Sequence, residues 1–204
     1  MALLEPPDRE RGFNKGRIIR VLLNHGGGEL TKYRLAQLSG ASEPWTRQYT
    51  KQLEEQGFIE GTEVVAPGGL YQEWLDERIE PNRLAVSLQQ PMERLAATDL
   101  QYALTTYQAE NLHQGLLFTS STDFYIAPAE TSTWLDLVET NGLLGGGNTR
   151  ISVLDDHVFY NRQTIDGFST VSIPQLILDL LAEGGPCEHA AEKLIESYHG
   201  DRQW

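Results

Sequence analysis

Along the first third of the chain, apolar residues recur with helical spacing. Between Phe13 and His25, the residues Ile18, Ile19, Leu22 and Leu23 fall on one helical face, and Gly26-Gly27-Gly28 ends the helix. Thr31 is placed to cap a second helix, with Leu35 and Leu38 on one side and Gly40 beyond the last turn. Ser42 caps a third, with Pro44 in its first turn; Trp45, Tyr49 and Leu53 repeat every four residues as its buried stripe. Gly57 closes that helix, and Phe58-Ile59 begin an extended segment. After the Pro67-Gly68-Gly69 turn, Leu70 to Arg78 reads as a short packing helix with Leu70, Trp74 and Leu75 as its apolar side. An alternating LAVSL stretch follows, and a domain boundary is expected near residue 90.

Strand and helix signals interleave beyond that point. Tyr102-Ala103-Leu104 reads as a strand leading into a helix through Tyr107, Ala109 and Leu112, and Phe124-Tyr125-Ile126 as a second strand. Thr133 caps a helix containing Trp134, Leu135, Leu137 and Val138. Ile151–Leu154, Val158–Tyr160 and Ser169–Val171 read as extended, with a turn at Asp166-Gly167. Ser172 and Pro174 open a helix that is apolar nearly all round and therefore buried; Gly184-Gly185-Pro186 ends it and starts the last helix.

Composition narrows the class. The chain has 204 residues, 29 acidic and 16 basic side chains and a net charge of −13. The lone Cys187 excludes a disulfide framework and a cysteine-based zinc site, and it fits a reducing compartment. No 18-residue apolar run occurs, and the opening MALLEPPDRERG lacks an apolar signal core, so a cytoplasmic, non-membrane protein is expected. The acidity is uneven: residues 11–53 hold eight basic side chains against Glu29 and Glu43 alone. A basic block on an acidic chain is the charge layout of a DNA-binding module joined to a second domain. Only four of the sixteen basic residues are lysine, a balance that fits a high-salt cytoplasm, where salt weakens phosphate contacts.

Two helices joined through Ser39-Gly40-Ala41-Ser42 have helix-turn-helix spacing. The run LAQLSGASEPWTRQYTKQLEEQGFIEG resembles the helix-turn-helix and first strand of winged-helix DNA-binding domains. The predicted fold class is thus α+β: a flexible arm (1–12), a winged helix-turn-helix with its linker helix (13–90), and a mixed α/β C-terminal domain (91–204). On the third helix, Glu43, Arg47, Thr50 and Lys51 lie opposite the apolar stripe, with Thr46 and Gln48 on its flanks. Arg47 has the donor fork that suits guanine O6 and N7; Thr46 and Thr50 suit base or phosphate, Lys51 phosphate, and Arg34 the backbone. These seven residues are the candidate DNA-binding set. The expected wing, GFIEGTEVV, carries Glu60 and Glu63 and no cation, which would repel phosphate. Grip must then come from the helices and the arm; the alternative is a protein-interaction adaptor.

No catalytic, metal or cofactor constellation is read. A nucleotidyltransferase-like second domain would need two carboxylates that hold metal ions, yet SSTDFYIA offers Asp123 with Tyr125 where the second acid would stand. Asp155-Asp156-His157 reads as a polar turn. Asp179, inside a leucine-rich helix, needs partners if buried, and donors near Thr105 or Thr106 are the expected ones; Thr105 and Asp179 form a possible structural or partner site.

The segments YALTTYQAENL, DFYIA, GGGNTRISVLDDHVFY and TVSIPQLILDLLAEGGPCEHAAEKLIE resemble the C-terminal domain of the AbiEi-type antitoxin family, and LYQEWLDER resembles the segment after that family's wing. The similarity spans roughly residues 15–200. The family consists of winged-helix transcriptional regulators of type IV toxin–antitoxin systems, archaeal members included. The resemblance implies a regulator that binds its own operator and neutralises a nucleotidyltransferase-type toxin without a stable complex. One helix-turn-helix per chain points to a homodimer on an inverted repeat of duplex DNA, or to paired chains on repeated half-sites, and the missing carboxylate pair to a protein that is not an enzyme. Thr106 stands where that family often has glycine after the Ala-Leu-Thr segment, a departure from its pattern.

Overall fold

The computed structural model describes residues 4–8 and 10–200. In chain order, α1 (Glu10–Asn24), α2 (Lys32–Ser39) and α3 (Glu43–Glu55) precede a two-stranded hairpin, β1 (Ile59–Glu60) and β2 (Glu63–Val64), and then α4 (Pro67–Glu77). Next come β3 (Asn82–Leu88), α5 (Pro91–Ala97), β4 (Tyr102–Thr105), α6 (Thr106–His113) and β5 (Thr122–Ile126). The chain continues with α7 (Thr131–Asn141), β6 (Gly142–Leu144), β7 (Thr149–Val153), β8 (Gln163–Ile165), β9 (Phe168–Thr170), α8 (Ile173–Glu183) and α9 (Pro186–His199). Helices and a mixed sheet together make the protein α+β.

The division into units differs from the sequence expectation of a cut near residue 90. One unit joins Arg9–Ile79 to Ile173–Trp204; the other joins Met1–Asp8 to Glu80–Ser172. The LAVSL stretch, expected in the first domain, is β3 and lies inside the sheet. The last two helices, expected in the second domain, belong with α1 to α4. Their chemistry gives the reason. Arg20 on α1 is buried, with its guanidinium 5.3 Å from the Trp74 ring. It forks onto Gln175 Oε1 of α8 through Nε at 2.9 Å and Nη2 at 2.8 Å. Gln175 Nε2 in turn donates to Asp179 Oδ1 at 2.9 Å. A buried cation requires such partners, and α8 supplies them.

In the helical unit, α1 buries Ile18, Ile19, Val21, Leu22 and Leu23, and α4 buries Leu70, Tyr71 and Trp74. Thr31 caps α2 by accepting from the Arg34 N–H at 3.1 Å, and Gly40 ends it at φ +66°. Ser42 opens α3 without a side-chain cap bond. The glycine run after α1 is a loop that lies against β2: Val64 N donates to Gly26 O at 3.1 Å. A Cβ on Gly28, at φ +77°, would meet Glu63 Cβ at 2.9 Å, so glycine is required there.

The other unit is a seven-stranded sheet in the order β6-β3-β7-β5-β4-β9-β8. β5 runs parallel to β7 and β4 parallel to β9; the other pairings are antiparallel. Trp134 of α7 packs on Phe124 of β5, ring centroids 5.1 Å apart. Val158 and Phe159, expected in a strand, lie instead in a 3-10 turn over Asp156–Phe159. Asp155 and Asp156 begin that turn, and His157 stacks on Tyr160 at 5.0 Å. Of the arm expected over residues 1–12, residues 1–3 and 9 lie outside the described residues. Leu4 is buried, Glu5 O accepts from Asn82 Nδ2 at 2.7 Å, and α1 already begins at Glu10. The arm is thus anchored to the sheet unit at Leu4 and Glu5, while Pro6 and Asp8 are exposed.

Candidate nucleic-acid interface

Helices α2 and α3 are separated by Gly40, Ala41 and Ser42. The outer side of α3 presents Arg47, Gln48, Lys51 and Gln52 to solvent. Arg47 is 59% exposed at its side chain and pairs along the helix with Glu43, Nη2 to Oε1 at 2.6 Å. Lys51 pairs in the same way with Glu55 at 3.6 Å. Arg34, exposed on α2, donates to Gln37 Oε1 at 3.1 Å, and Gln37 donates to the hydroxyl of the exposed Tyr33 at 2.9 Å.

Two members of the candidate set are not on this surface. Thr46 and Thr50 are fully buried beside Tyr49 and Leu53. Thr46 Oγ1 donates to Ser42 O at 3.0 Å and Thr50 Oγ1 to Thr46 O at 2.9 Å. A threonine that satisfies its hydroxyl on the preceding turn offers only a methyl to its neighbours, so it packs as an apolar residue. The core stripe is accordingly rotated toward the threonines, and Trp45 is only half-buried, tilted on Tyr49 at 5.2 Å. Burial and the nearby Glu73 and Glu77 carboxylates push the Tyr49 phenol well above its ordinary value.

The hairpin is tied to α3 by one carboxylate that the residue patterning did not single out. Glu54 Oε1 accepts from Gly61 N at 2.8 Å, in the turn between β1 and β2, and Oε2 accepts from Lys32 Nζ of α2 at 3.2 Å. Partial burial alone would raise this carboxyl. The Gly61 amide and the Lys32 ammonium outweigh it and hold the group below its ordinary value. Glu60 and Glu63 lie directly across from each other on the hairpin, both exposed.

Five of the eight basic side chains of residues 11–53 are buried or paired with a carboxylate. Arg20 is buried, Lys15 meets Glu77 at 2.7 Å, Lys32 meets Glu54, and Arg47 and Lys51 meet their own helix's glutamates.

Of the possible second site, Thr105 belongs to the sheet unit, whereas Asp179 belongs to the helical unit and finds its donor in Gln175 there. Across from Thr105 in the sheet register stands the buried Asp123. Thr105, Asp123 and Arg150 share one register row and hence one sheet face. Arg150 forks onto Asp123 through Nε at 2.9 Å and Nη2 at 2.5 Å, Ser121 Oγ donates at 2.9 Å, and Thr106 Oγ1 donates as well. Asp123 thus sits against a cation, with the buried Tyr125 two residues on. Thr106 enters α6 at φ +45°, the left-handed region that favours glycine.

No family model, curated protein or solved structure matches the chain. Among the described residues no helix is long and apolar enough to cross a membrane, and no group of three or more His, Cys, Asp or Glu is arranged to hold a metal ion.

Proposed function

We propose that the helical unit is a winged helix-turn-helix that binds duplex DNA, with α3 in the major groove, and that the protein is a non-enzymatic transcriptional regulator. The supporting observation is the open polar face of α3, with Arg47 and Gln48 in its N-terminal half, behind a short turn and ahead of a hairpin fixed by Glu54. The exposed pairs Arg47–Glu43 and Lys51–Glu55 hold little energy, about 0–1 kcal/mol each, so base or phosphate groups can replace them. Arg47 and Gln48 read base edges, while Arg34 and Lys51 contact phosphates. Two protomers occupy an inverted repeat with half-sites about 10 base pairs apart.

The test is retardation of the DNA upstream of the protein's own gene. Arg47→Ala is expected to weaken binding by ~1–3 kcal/mol if it reads a guanine. Few cations are free, so the log–log salt dependence should be shallow, roughly −3 per protomer. No retardation at low salt for any upstream fragment overturns the reading. The facing Glu60 and Glu63 favour a second reading, in which the same surface meets a basic protein. A partner captured through the hairpin, lost on reversal of both charges and with no DNA retarded, would establish it. The antitoxin role extends the first reading: co-expression should relieve the toxicity of an adjacent nucleotidyltransferase-type toxin, and failure to do so confines the protein to stand-alone regulation.

A further inference from the structure

The sheet unit carries a cleft of about 500 Å³ between the α5–β4 connection and the β8–β9 hairpin. Its walls hold charges of both signs that do not pair with each other. Arg162 lies with its guanidinium 5.9 Å from the Phe159 ring centroid and makes no side-chain hydrogen bond or ion pair with any described residue. Asp99, also in the lining, likewise has no described partner, and Glu130 uses one oxygen to accept from Gln101 N at 2.7 Å. Ser169 Oγ is buried in the lining with no hydrogen-bond partner. Tyr102 completes the lining, with its phenol pushed up by burial and therefore kept as a neutral donor.

An arginine that has no carboxylate partner is a ready donor fork for the carboxylate of a ligand. Asp99 and Glu130 repel a phosphate or other simple anion, and they offer an ammonium group its counter-charge. A ligand that carries both signs matches the mixed charge of this lining. The cleft also lies within the ordinary size range of small-molecule sites.

We propose that this cleft binds a zwitterionic small molecule of the α-amino acid class, its carboxylate on Arg162 and its ammonium on Asp99 and Glu130. This inference is independent of the DNA-binding reading.

The test uses the full chain and calorimetric titration with each of the twenty standard amino acids at about millimolar concentration. The best binder is then compared with its N-acetyl and methyl ester derivatives, which remove one charge each. Binding is expected to fall about tenfold or more with either derivative, and equally with Arg162→Ala or Asp99→Asn. Both residues are exposed, so these variants keep the fold, which circular dichroism verifies. The proposal is overturned if no amino acid binds, if acetate or inorganic phosphate binds as tightly as the best amino acid, or if both variants bind like the parent.

Discussion

Thr106 combines a costly backbone with a useful hydroxyl. A β-branched residue in the left-handed region costs about 1–2 kcal/mol, and the Asp123 carboxylate that Thr106 donates to holds it there. A hydrogen bond to a charged group contributes about 1.5–3 kcal/mol, so it outweighs the strain. Thr106→Val keeps the strain and loses the bond; Thr106→Gly loses both. Urea unfolding should therefore show the valine variant as less stable than the glycine variant, with both below the parent. Equal stability of parent and valine variant would remove the hydroxyl from this account. Glu110 is a second residue of this kind. It is fully buried on α6 and accepts from Leu116 N at 3.0 Å and Leu117 N at 2.8 Å, pinning the loop that exposes Leu116 and Phe118. Glu110→Ala leaves two amides without their acceptor and is expected to cost about 2–4 kcal/mol by the same measurement.

At the scale of elements, the order α2, α3, hairpin depends on how Glu54 joins them. Its carboxyl is held below the ordinary value of 4.5, because the Gly61 amide and Lys32 favour the charged form. The folded state therefore gains stability from Glu54 above that value and loses it as pH falls through the lowered one. Glu54→Gln should lower the thermal midpoint at pH 7, and the gap to the parent should close progressively as pH falls below 4.5. A gap independent of pH would assign the effect to packing and not to charge. The same region shows what local patterning reads well. The caps at Thr31 and Gly40, the start of α3 at Ser42 and the hairpin after Gly57 are all set by residues within a few positions of each other. The burial of Thr46 and Thr50 escaped because a hydroxyl looks polar until its bond to the preceding turn is known. The strand β6 escaped for a different reason: its three residues carry no alternation and depend on pairing with β3.

For the whole molecule, the helical unit is closed by the chain's own C-terminal helices. α8 brings buried Leu176, Ile177 and Leu180, and α9 brings His199, whose Nε2 lies 3.0 Å from the buried Tyr71 hydroxyl. Deleting residues 173–204 should leave Arg20 without Gln175 and open the apolar core of α1 and α4. We expect the shortened chain to lose cooperative unfolding of its helical signal in circular dichroism, while the full chain retains it. A cooperative, DNA-retarding fragment of residues 1–90 would contradict this. The sequence by itself determined most of the helices, the caps of α2, the hairpin and much of the alternation of strands, because those depend on short-range spacing and turn chemistry; Thr133, expected to cap α7, lies inside it. Only the tertiary structure decided which helices share a core, which arginines face solvent and which carboxylate meets which cation. Arg20 and Gln175 are 155 residues apart in sequence, and the partner of a buried charge leaves no periodic trace in the chain that carries it.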